Sequence, residues 1–81
     1  MLGGRVRRRG ATIAAMKVEL NGAPKELPEG CTVRELLRTV GREGVPCAVE
    51  VNRTLVPHRT HAEHALRDGD RVEVVTLVGG G

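Results

Sequence analysis

From Met16 onward, apolar and polar residues follow two clear periods. In KVELN, Val18 and Leu20 share one face while Lys17 and Glu19 take the other, the period-two signature of a half-buried strand. Asn21-Gly22 follows as a two-residue hairpin signal, and PKELP returns as a short second strand whose leading Pro24 suits a strand start or an edge. The period then changes. In GCTVRELLRTVGREG, Val33, Leu36, Leu37 and Val40 fall at i, i+3, i+4 and i+7, one apolar stripe of a helix over residues 32–40. Thr32 and Glu35 have the spacing of a capping box, Arg34 and Arg38 point outward, and Gly41 can supply a left-handed cap.

Alternation resumes in PCAVEVN, with Cys47, Val49 and Val51 on one face. NRTLVP predicts a turn and a short extended piece, HRTHAEHAL a loop or single helical turn, and RDGD a turn with Gly69 at positive φ. RVEVVTLV, rich in β-branched residues, predicts the last and longest strand over residues 71–77, inside the sheet. The order β-β-α-β-(β)-β defines an α+β class. A mixed sheet of four to five strands packs on one main helix, the β-grasp or ubiquitin-like arrangement. Residues 16–78 are expected to form this domain, residues 79–81 a flexible glycine tail, and residues 1–15 a disordered basic extension.

Composition narrows the function. The 81 residues suffice for one small core, and without Phe, Tyr or Trp that core is aliphatic. The same lack removes the stacking platforms of single-stranded nucleic acid binders. No apolar run approaches the roughly 20 residues of a membrane span. Two cysteines, Cys31 and Cys47, are too few for a disulfide scaffold, which predicts a reduced, cytoplasmic protein. The formal charge of +3 belongs to the extension: Arg5, Arg7, Arg8 and Arg9 are four of 13 basic residues, and residues 1–15 hold no acid. Residues 16–81 carry 9 basic and 10 acidic groups, a net of −1, and Met16 is read as the biological start.

Three other patterns offer chemistry. His58, His61 and His64 form H-x₂-H-x₂-H, but on a helix the rings spread over about 120° and converge poorly on one ion. A solvated loop with no metal is the expectation. Asp68 and Asp70 are turn formers. Cys31 precedes the helix cap, where a helix N-terminus can lower a thiol pKa, but both cysteines are read as small, partly buried apolar residues. No nucleophile, base and oxyanion set is visible, so the chain is expected to be a carrier and not an enzyme.

In that order, MKVELNG, TVRELL, VEVNRTLVPH and LRDGDRVEVVTLVGGG resemble the ThiS-type sulfur carriers of thiamine biosynthesis, within the wider ThiS/MoaD group of ubiquitin-like proteins. The likeness covers the 66 residues from Met16. It implies that the C-terminus is the chemistry. A ThiF-like adenylating enzyme would use ATP and Mg²⁺ to activate the Gly81 carboxylate, with no cofactor bound to the carrier itself. A sulfur donor such as a cysteine desulfurase would then displace AMP and leave a thiocarboxylate, whose sulfur passes to a ThiG-like thiazole synthase. Gly79 and Gly80, which carry no side chains, would thread the end into partner active sites. The family usually ends in two glycines; this chain has three, which adds up to about 3.6 Å.

A monomer that docks on its partners is expected, through the sheet face opposite the helix and the outward residues among Arg71, Glu73, Val75 and Leu77. Three other readings stand beside this one, one of them a ubiquitin-like modifier conjugated to lysines, which a protein-linked ladder in cell extracts would show. A small subunit of molybdopterin synthase would share the activation and differ in acceptor. A β-grasp nucleic-acid module would use the basic extension, with salt-dependent binding lost on its removal. The carrier reading itself involves neither nucleic acid nor membrane.

Overall fold

The computed structural model describes residues 14–77. The extension expected to be disordered lies almost wholly outside them, as do Gly79, Gly80 and Gly81. Five strands are formed: β1 (Ala15–Leu20), β2 (Ala23–Pro28), β3 (Cys47–Val51), β4 (Thr54–Val56) and β5 (Arg71–Thr76). One helix, α1 (Val33–Thr39), and a 3₁₀ turn at His58–Thr60 complete the described elements. The domain starts slightly earlier than expected. β1 begins at Ala15, paired with Pro28, and the Ala14 carbonyl accepts the Glu29 N–H at 2.8 Å.

The sheet order is β2-β1-β5-β3-β4. β1 and β5 run parallel and the other neighbours antiparallel, so the sheet is mixed, as the pattern predicts. Asn21 and Gly22 both take positive φ (49° and 86°), which suits a tight hairpin between Leu20 and Ala23 and fixes the β1–β2 register. Pro24 lies on the edge strand, where its missing N–H breaks no ladder.

The helix is short, and its ends are strongly specified. The Thr32 side chain accepts the Glu35 N–H at 3.2 Å, and Glu35 Oε1 accepts the Thr32 N–H at 3.0 Å. At the other end Gly41 has φ 76°, the Gly41 N–H donates to Arg38 O, and the Arg42 N–H donates to Leu37 O. That pair of bonds is a Schellman closure. Between the caps Val33, Leu36 and Leu37 are buried. They share one aliphatic cluster with Met16, Val18, Leu27, Val49, Val51 and Val72 from the strands. Cys31 and Cys47 are free thiols inside it, as expected.

One expectation fails. The histidine segment is not simply a solvated loop, because His61 is only 4% exposed. The 3₁₀ turn brings the chain back against β4, where the His61 Nε2 lies 3.0 Å from the Val56 carbonyl. His58 meets the same ring edge-on, with centroids 5.2 Å apart. His61 is therefore a packed, hydrogen-bonded core residue. Its neighbour His58 remains exposed.

Candidate functional site: the strand that carries the tail

The glycines follow β5, so the site begins with what holds β5 in place. Both its neighbours contribute backbone. Asn52 N–H donates to Arg71 O at 2.7 Å at the start of the strand, and Leu77 N–H donates to Pro46 O at 2.8 Å just past its end. On the other side the ladder with β1 is brief, because Leu20 pairs with Val72 while β5 continues to Thr76.

Side chains extend the missing ladder. Asn21 Oδ1 accepts the Val74 N–H at 2.9 Å, and Asn21 Nδ2 approaches the Val74 carbonyl at 3.3 Å. A carboxamide offers one acceptor and one donor side by side, the same pair that a strand backbone presents. Asn21 thus acts as an extra strand residue for the central strand. Asn52 does related work at the entrance: its Oδ1 accepts the Arg71 N–H at 2.9 Å and its Nδ2 donates to Asp70 Oδ1 at 2.9 Å. The turn before β5 is tied down as well. Asp68 Oδ1 accepts the Lys17 N–H and Asp70 Oδ2 accepts the Arg67 N–H, each at 2.8 Å. Asp68 and Asp70 are therefore structural acceptors, in keeping with their reading as turn formers.

The role of Asn21 can be tested by separating its turn from its side chain. Asn21→Gly keeps the positive φ and loses both contacts to Val74; Asn21→Ala loses the contacts and strains the turn. The expected costs are about 1 kcal/mol for glycine and about 2 kcal/mol for alanine in urea unfolding. Amide exchange at Val74 should accelerate in both variants. Unchanged protection at Val74 would remove Asn21 from this role.

Of the candidate docking residues, Arg71, Glu73 and Val75 share the outward side of β5, with Val75 58% exposed. With Glu19, Asn21 and Gly22 they line a shallow depression, across which Arg71 Nε lies 3.8 Å from Glu19 Oε1. Leu77 separates from them. It is 51% exposed and lines a second, larger groove with Leu37, Pro46 and Cys47. Gly79, Gly80 and Gly81 lie outside the described residues.

The Cys31 thiol is not an activated one. Burial pushes the Cys31 thiol up from its ordinary value, and the Glu35 carboxylate adds to the push. Among the described residues no group of three or more His, Cys, Asp or Glu is placed to hold a metal ion. No described helix is long and apolar enough to cross a membrane.

A scan against family models matches residues 18–81 to the ThiS family, a span that contains most of the described fold and the glycines. The chain belongs to the ThiS family. A ThiS sulfur carrier protein from Thermus thermophilus is 44% identical over 64 residues, covering 79% of this chain and 98% of that protein. A thiazole synthase from Paramagnetospirillum magneticum is 38% identical over 66 residues, 82% of this chain but 20% of the synthase. The chain thus spans about a fifth of the length of the thiazole synthases it matches. Among solved structures, the thiamine biosynthesis protein ThiS from Geobacter metallireducens superposes with a TM-score of 0.69 at 28% identity, covering 82% of this chain and all of that one. The ThiS likeness leaves aside the N-terminal extension, since the family match begins at Val18.

Proposed function

We propose that this chain is a sulfur carrier of thiamine biosynthesis, and that its Gly81 carboxylate is the group that is activated and loaded. In this reading a carboxylate oxygen attacks the α-phosphorus of Mg-ATP in a ThiF-like enzyme, and pyrophosphate leaves. The resulting acyl-adenylate is an electrophile. The terminal sulfur of a donor persulfide, such as one carried by a cysteine desulfurase, attacks the carbonyl carbon and AMP departs. A thiol reductant then cleaves the S–S bond of the acyl disulfide, taking the donor's sulfur away as a disulfide and leaving a thiocarboxylate for a ThiG-like thiazole synthase. Every catalytic group belongs to the partners, and the carrier contributes a positioned carboxylate. Its own residues do two things. Glycines without side chains fit a narrow channel, and the pinned β5 gives that end a fixed point of departure.

The observation that carries the reading is the family match through residue 81, which takes in the glycines as well as the strand that leads to them. Relatives named thiazole synthase favour the thiamine branch over molybdopterin synthase. The near balance of 9 basic and 10 acidic residues from Met16 onward speaks against a nucleic-acid module. The test is intact mass after incubation with the cognate activating enzyme, Mg-ATP and a sulfur donor. Exchange of one carboxylate oxygen for sulfur adds about 16 Da, a covalent change that binding alone cannot produce. Absence of both adenylate formation and this mass gain would overturn the reading.

A further inference from the structure

The larger groove lies where the C-terminal end of α1, the start of β3 and the 3₁₀ turn meet, and it encloses about 880 Å³. Its apolar lining includes Leu37, Val45, Pro46 and Leu77. Arg34, Arg42 and Arg59 line it too, all with exposed side chains and none in an ion pair among the described residues. The one acid among the described residues that line the groove, Glu43, is already engaged, with Oε2 3.2 Å from Arg38 Nε.

This charge is local. From Met16 onward the chain carries 9 basic residues against 10 acids, yet among the described lining residues three of the nine gather here against one paired acid. Three guanidinium groups with no ion pair among the described residues, in a groove that is also lined by apolar side chains, complement carboxylates flanking an apolar side chain. Position adds a second argument. Leu77 is on the groove wall, and the four residues after it reach at most about 14 Å. Whatever occupies the groove is therefore within reach of the end of the chain. A groove distant from the tail would carry no such implication.

We propose that this groove seats an acidic, apolar-tipped segment of an enzyme that receives the tail, so that grip and delivery are made by the same partner. The proposal rests on the carrier reading. Binding of the full chain to its cognate activating enzyme and to its thiazole synthase is measured at low and moderate salt, comparing wild type with Arg34→Glu/Arg59→Glu. Affinity for at least one enzyme should fall about tenfold or more, and the remaining binding should be less salt-sensitive. Arg53→Glu/Arg67→Glu, which reverses two exposed arginines in the turns leading out of β3 and into β5, serves as the control and should bind within about twofold of wild type. Thermal unfolding checks that both pairs fold.

Wild-type affinity of the Arg34/Arg59 variant for both enzymes, at every salt concentration, would overturn the proposal. So would an equal loss in the control pair, which would indicate net charge alone. A chain ending at Leu77 separates the other occupant. If the arginine dependence disappears with the tail, the groove holds the chain's own carboxylate and the proposal fails; if it persists, the groove grips the enzyme. The mass assay on wild type keeps the two readings distinct. A chain that gains about 16 Da while its groove variant binds normally refutes the groove alone, whereas arginine-dependent binding with neither adenylate formation nor mass gain refutes the carrier reading alone.

Discussion

Deleting Gly80 and Gly81 together is expected to abolish the thiocarboxylate species while leaving the fold unchanged. Neither residue has a side chain to bury, and the buried cluster takes its last member, Val72, from within β5. Unfolding midpoints of the two forms should therefore agree, with the difference appearing only in the mass spectrum. Deletion of Gly81 alone is the more discriminating variant, because it restores the two-glycine ending usual in the family. Chain length matters since an extra residue moves the terminal carboxylate by up to about 3.6 Å, more than a reacting pair tolerates. If the two-glycine form is activated and the three-glycine form is not, Gly80 is the working residue. If the full chain is activated and the shortened one is not, Gly81 is. Failure of both forms with the cognate enzyme sinks the carrier reading.

Much of the fold was legible because its signals are local. The capping box, the Val33–Leu36–Leu37 stripe and Gly41 act within one helix, so α1 appears where residues 32–40 were expected, trimmed to Val33–Thr39 between its caps. Asn21-Gly22 fixes one register by turn geometry alone. What stayed hidden depends on residues brought together over long sequence distances. Asn21 reads in sequence only as a turn former; its carboxamide meets Val74 because β5 lies beside β1, 53 positions further on. His61 looks solvated until the 3₁₀ turn places it against Val56. The groove draws Arg34, Arg42, Arg59 and Leu77 from four separate segments, and no spacing rule links them. The glycines themselves were the plainest functional signal, and they bear it without any described geometry.

The largest stability effect is expected at Leu36. It is completely buried in the cluster that joins α1 to the sheet, and its neighbours Val33, Val49 and Val72 are equally inaccessible. Truncation to alanine removes methyl groups and leaves a cavity that a tightly capped helix cannot collapse to fill. The expected cost is about 2–5 kcal/mol. A domain of this size has a total stability of only about 3–10 kcal/mol, so Leu36→Ala should lower the thermal midpoint by more than about 10 °C or prevent folding altogether. Leu55→Ala provides the matched comparison. Leu55 is also a leucine but is 60% exposed on the edge strand β4, and its truncation should change stability by less than about 0.5 kcal/mol. Equal loss at both sites in urea titrations would mean that α1 does not pack on the sheet through Leu36. A large loss at Leu36 alone would place the anchoring of the tail-bearing strand in the same core that holds the helix, since Val72 of β5 belongs to that cluster.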